Sequence, residues 1–142
     1  VSRGRAYWAL LTTSRAAGER YDDEKAAALD RVGDWHDPVP QLVRATPEGA
    51  AIRTDIREVP PLSTYVRGRV VLLGDAAHAM SLDRGQGAGH TFEDAVVLAH
   101  ALATEPTIED ALGRYDAERR PRDQATARAT AAGCRSARRR PR

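Results

Sequence analysis

The sequence has a single cysteine, Cys134, so no internal disulfide and no cysteine-built zinc site can form within the chain. No apolar run approaches the roughly 18–20 residues needed to span a bilayer. No charged start is followed by an apolar stretch of the signal-peptide kind. Bulky apolar residues are scarce as well. Leu, Ile, Val and Phe number 25 of 142, with one Phe and one Met, whereas Ala alone numbers 26. That share lies below the rough 20% level at which disorder becomes an issue, but the accompanying condition, a large net charge, fails at +2. One foldable domain with a lean core is expected, in a reducing, cytoplasmic setting.

Lysine is nearly absent: Lys25 stands alone against 21 Arg. With so much Ala, this reflects base composition in part, so Arg richness by itself says little about phosphate binding. The charge is unevenly spread. Residues 119–142 carry nine Arg and one acid, Asp123, whereas residues 1–118 hold 13 basic and 19 acidic groups. A pI near 9.0 therefore describes the tail and not the body. The tail lacks interleaved aromatics and is rich in Ala, which points to a solvated end open to disorder, not to a specific nucleic-acid surface.

Residues 5–13 combine aromatic, β-branched and Leu side chains between turn formers, a strand signature. Asp22 to Val32 reads as a helix. Asp34 to Pro38 is a turn, because the residue before proline avoids the helical region. Val39 to Ala45 makes a short helical turn. Residues 50–58 alternate in period two, with Ile52 and Ile56 on one face, as in a half-buried strand. Val70–Leu73 is apolar throughout and suits a central strand buried on both faces. A glycine-rich loop leads into a helix ending near Leu102, which starts either near His90, with Thr91 and Asp94 as a capping pair, or nearer Gly87. Phe92, Ala95, Val96, Ala99 and Leu102 form its expected inner face. A last helix runs from Ile108 to about Arg119, with Ala111, Leu112 and Tyr115 inward and Pro121 interrupting it. It is open to continuation as far as about residue 132.

The chemistry concentrates in Gly68-Arg-Val-Val-Leu-Leu-Gly-Asp-Ala-Ala-His78, then Gly85-Gln-Gly87-Ala-Gly89, then Glu93-Asp94-Ala95. Asp75 leaves the carboxyl end of a strand, where open α/β sheets place their ligand crevices. A carboxylate there accepts hydrogen bonds from hydroxyls such as those of a sugar or ribityl chain. Glycines at a helix start let main-chain N–H groups face an anionic ligand. His78 reads as a structural residue bonding the loop. His36, His90 and His100 lack the spacing and carboxylate company of a metal site, so no metal is expected.

Gly74-Asp-Ala-Ala-His78, a spacer, Gly85-Gln-Gly87 and Glu93-Asp-Ala95 resemble the second FAD-binding signature of single-component flavin-dependent aromatic hydroxylases and their epoxidase relatives. Trp8, the Gly33–Pro38 turn, Pro60-Pro-Leu62 and Tyr115–Arg122 extend the resemblance over about residues 5–130, toward urate-hydroxylase-like and zeaxanthin-epoxidase-like members. It implies an α/β (α+β) fragment: the carboxyl-terminal part of a Rossmann-like flavoprotein with part of a substrate-domain sheet. Residues 1–60 would belong to the substrate domain, 61–120 to the FAD domain and 121–142 to the basic tail. The cofactor-binding residues would be Gly74, Asp75, Gly85, Gln86, Gly87, Ala88 and Gly89, with Asp75 on the ribityl chain.

The implied activity is NAD(P)H-driven hydroxylation of a small aromatic or electron-rich substrate by molecular oxygen, through a flavin C4a-hydroperoxide. No side chain here is implied as a proton-transfer catalyst. An epoxidase, another flavin oxidoreductase or a non-catalytic binding remnant with a basic tail are the alternatives. Three departures stand out. The family's usual proline near Leu82, and its Asn and Leu near Asp83 and Arg84, are replaced. Its middle Asp-Gly signature is missing. No Gly-x-Gly-x-x-Gly unit for the ADP half of FAD is present. With Val1 at the start, the chain is expected to be roughly the last third of such an enzyme, inactive alone.

Overall fold

A computed structural model of the chain describes residues 4–12 and 16–137. Two compact units divide it, Val1–Asp55 and Ile56–Arg142.

The first unit is built on two helices, α1 (Glu24–Val32) and α2 (Val39–Arg44). The Asp23 carboxylate caps α1 by accepting from the N–H groups of Lys25 and Ala26. Ala28, Val32 and Val43 form the core, with Trp8, Leu10, Leu29 and Val39 packed against it. Trp8 donates from its indole to Thr46 Oγ1 at 2.8 Å, which anchors the extended amino-terminal segment.

That segment is not the expected strand. Only Trp8 and Leu10 of residues 5–12 are half-buried, and no ladder pairs the segment among the described residues; residue 13 lies outside these. Residues 50–58 differ in the same way, and their face is reversed. Arg53 turns inward to ion-pair with Glu19 and Asp55, leaving Ile52 87% exposed. Period-two patterning marks a face but does not supply a pairing partner.

In the second unit a two-residue hairpin pairs β1 (Val66–Arg67) antiparallel with β2 (Val70–Val71), and this is the whole of the sheet among the described residues. Then come the short helix α3 (Asp75–His78), a 3-10 turn (Leu82–Arg84), and the long helices α4 (Gly87–Thr104) and α5 (Ile108–Ala137) packed along each other. Tyr65, Ala77 and Tyr115 make the core with Leu62, Val71, Leu72, Val97 and Leu98. Thr107 caps α5, accepting from Asp110 N–H while donating to its carboxylate.

Three expectations are corrected here. The buried strand at 70–73 shrinks to β2, and Val70 is 66% exposed. Helix α4 starts at Gly87, the earlier of the two starts left open by the sequence, so Thr91 sits inside it and donates back to Gly87 O. Its expected inner face is outward: Phe92 is 73% and Val96 69% exposed, while His90, Asp94 and Ala101 are buried. The helix is apolar on two sides, and an ion network on the other side decides which one faces α5. Ala111, Leu112 and Tyr115 are buried as expected. Pro121, however, does not interrupt α5, which runs through it to Ala137. Proline removes one helical donor, whose acceptor is the carbonyl four residues earlier. Both Ala117 and Pro121 lie on the exposed side, where solvent can serve that carbonyl. Residues 121–137 of the expected tail are therefore helical, and 138–142 lie outside the described residues.

Candidate functional site

The residues expected to bind a ligand gather at the amino-terminal end of α4. Gly74, at φ 58° and ψ −142°, turns the chain from the hairpin into α3. A Cβ there would meet Thr91 Cγ2 and Oγ1 at 3.1 Å, so glycine is required by both backbone and neighbour. Thr91 in turn reaches back to Gly87 O at 3.1 Å. Gly74 and the first turn of α4 thus share one side chain. Asp75, the first residue of α3, is exposed beside them.

Gly85, at φ 61°, closes the 3-10 turn, and Gln86 precedes the first helical residue, Gly87. A Cβ at Gly87 or Gly89 would point into open space, and Ala88 is exposed. No side chain caps α4 among the described residues, and no acid sits in its first turn. The unpaired N–H groups of a helix start, carrying the positive end of the dipole, are left open to an acceptor or anion.

Beneath this surface lies a buried ion network. Asp94, fully buried on α4, accepts at Oδ2 from Gly74 N–H (2.8 Å) and His78 Nε2 (2.7 Å), and at Oδ1 from Arg119 Nε (2.8 Å). The Arg119 guanidinium also donates to Asp123 Oδ1 (2.7 Å), Glu93 Oε2 (2.6 Å) and His90 O (3.3 Å). His90 Nδ1 lies 2.7 Å from Asp123 Oδ1. Arg122 closes the outer side by pairing with Glu93.

These contacts divide the carboxylates. Burial pushes the Asp94 carboxyl up, but the hydrogen bonds from Arg119, Gly74 and His78 outweigh it and hold the group below the ordinary range. Burial also pushes Asp123 up, and there His90 and Arg119 do not offset it. Arg122, and then Arg119, pull the less buried Glu93 down to about 2. Burial raises the Tyr65 phenol to about 12. His78, Asp94 and Asp123 offer ligand atoms within 4.8 Å of one another, but Arg119 already supplies the cation between the two carboxylates.

His78, expected to bond the loop, instead bonds Asp94 on α4. His90 is corrected: it does have a carboxylate partner. The sequence alone gives Arg119 and Asp123 no part in the site and offers Asp94 as half of a capping pair with Thr91. The signal was present in the spacing. His90 and Asp94 stand one turn apart on α4, and Arg119 and Asp123 one turn apart on α5, so each helix brings two polar groups to one face.

Comparison with known proteins follows this geometry. Residues 3–130 match the family described as the FAD binding domain. Aurachin C monooxygenase/isomerase of Stigmatella aurantiaca is 44% identical over 119 residues, covering 84% of this chain and 31% of that protein. An FAD-dependent urate hydroxylase of Klebsiella pneumoniae is 38% identical over 120 residues, again covering 84% and 31%. The crystal structure of Klebsiella pneumoniae HpxO complexed with FAD and uric acid superposes with a TM-score of 0.73 at 34% identity, over 80% of this chain and 30% of that one. The chain thus spans under a third of the length of these relatives.

Proposed function

The chain belongs to the FAD binding domain family, and on that premise we propose that it forms the flavin-holding, carboxyl-terminal part of an NAD(P)H-driven monooxygenase acting on a small aromatic or electron-rich substrate. The observation that carries this reading is the meeting of Gly74–Asp75 with the open, uncapped start of α4. The residues present fit the cofactor. The exposed Asp75 carboxylate accepts from ribityl hydroxyls. The Gly85-Gln86-Gly87-Ala88-Gly89 segment brings main-chain N–H groups to the flavin's pyrimidine edge, and its lack of side chains allows close approach. The oxygen-transfer chemistry, fed by NAD(P)H and molecular oxygen, is what FAD supplies when bound. The protein's part is to hold and orient.

In this reading residues 1–60 belong to a substrate-binding domain and residues 61–120 to a Rossmann-like FAD domain, in a cytoplasmic enzyme. The outward Phe92–Val96 face of α4 and the exposed Val70 support it, since a helix and strand apolar on two sides are those of an element buried between layers. The names of the two curated relatives, a monooxygenase/isomerase and a urate hydroxylase, favour monooxygenase chemistry.

The 142 residues alone are expected to bind FAD weakly and not to turn over, because they contain no glycine turn for the adenosine pyrophosphate. The test is FAD titration of the purified chain and its Asp75→Ala variant, with NAD(P)H oxidation followed alongside. Weak binding that the variant loses by about 1.5–3 kcal/mol supports the site. Equal affinity in both proteins removes Asp75 from it, and an active, flavin-loaded 142-residue protein overturns the division of labour.

A further inference from the structure

The buried network has a geometry that bears on the exposed site. Helix α3 is only four residues long, Asp75–His78. Asp94 bonds the residue just before it, through Gly74 N–H, and its last residue, through His78 Nε2, with the same carboxylate oxygen. Both ends of the turn that carries Asp75 are thus tied to one atom. Thr91, three residues earlier on α4, occupies the space that a Cβ at Gly74 would need. The helix whose open start forms one half of the site therefore grips the other half from its next turn.

We propose that Asp94, held by Arg119, is the positioning residue that registers Asp75 against the start of α4. This rests on the flavin reading of the site and adds to it a residue that does not touch the cofactor. Asp94 serves three donors with two oxygens, which an ionised carboxylate can do and an amide, with one acceptor oxygen, cannot. Arg119 matters through its shape. Its Nε is spent on Asp94 while its terminal nitrogens are fixed by Asp123, Glu93 and the His90 carbonyl. A lysine ammonium lacks that planar fork and leaves Asp94 free to turn.

The test uses the ¹⁵N-labelled 142-residue chain with Asp94→Asn, Arg119→Lys, His78→Leu and, as a control, Tyr115→Phe. The control removes a hydrogen bond to Leu72 O elsewhere in the same unit. In the wild type the Gly74 amide is protected from exchange, and FAD shifts the amides of Asp75 and Gly85–Gly89. In Asp94→Asn and Arg119→Lys that protection is lost and FAD affinity falls about ten-fold or more, with the α5 amides still protected. Tyr115→Phe lowers stability without changing either readout. Should the first two variants fail to fold, His78→Leu decides, because it removes the donor to Asp94 and leaves Arg119, Asp94 and Gly74 in place: weakened FAD binding supports the role, and unchanged affinity overturns it. Folded Asp94→Asn that binds FAD as the wild type does also overturns it. Absence of FAD-dependent shifts in the wild type overturns instead the flavin reading beneath the proposal, and the Gly74 amide still reports whether Asp94 holds the turn.

Discussion

Two carboxylates on adjacent positions of α4 behave alike toward acid, for different reasons. Glu93, bonded by Arg122 and Arg119, sits at about 2 against an ordinary 4.5. Asp94 is lowered from 3.8 in spite of its burial. Groups more acidic in the folded state contribute stability that is present above their unfolded values and lost as pH falls through the folded ones. Asp123 has the opposite sign: raised by burial, its contribution is full below 3.8 and lost as pH rises through its folded value. Removing Glu93 therefore removes part of the acid sensitivity. The thermal midpoint of Glu93→Gln is expected to fall less steeply than the wild type's between about pH 4.5 and about pH 2. The difference is modest, since the Glu93 side chain is 41% exposed and its pairs are screened. Parallel curves for the two proteins contradict the assignment.

Among the elements, those that close on themselves locally could be read from the sequence, and those that depend on distant chain could not. Helices α1, α2, α4 and α5 lie near where local sequence signals place them, and the inward Ala111, Leu112 and Tyr115 are legible in the sequence. The segments at 5–12 and 50–58 carry strand patterns without ladders, because pairing is a non-local property. The inner face of α4 was misjudged because its bulkiest apolar side chains outscore the His90–Asp94 face in any count of hydrophobicity, while the choice is made by Arg119 on another helix. Gly74, Asp75 and the loop at 85–89 stand out by residue type and by the family resemblance, and the structure sets Gly74 against Thr91 of α4. The anchor is harder to read, since Asp94 lies 25 residues from Arg119 and a four-residue spacing on each of two helices does not say that the two faces meet. The exposed face yields a prediction of its own. Phe92→Ser, at a 73% exposed position, is expected to change the stability of the isolated chain by no more than about 0.5 kcal/mol while reducing self-association. Thermal unfolding and sedimentation check it, and a large loss of stability contradicts the outward placement.

At the scale of the whole molecule, a lean core is reinforced by charge. The second unit has a small apolar centre, Tyr65, Ala77 and Tyr115, and beside it an ion network that ties α3, α4 and α5 together. In the proposed function this assembly holds a flavin at the start of α4. The decisive measurement is an amide-resolved titration of the 142-residue chain with FAD. Saturable shifts are expected at Gly74, Asp75 and Gly85 through Gly89, abolished by Asp75→Ala, with the amides of α1 and α2 unmoved. Shifts spread over both units, or confined to the arginine-rich end of the chain, contradict it.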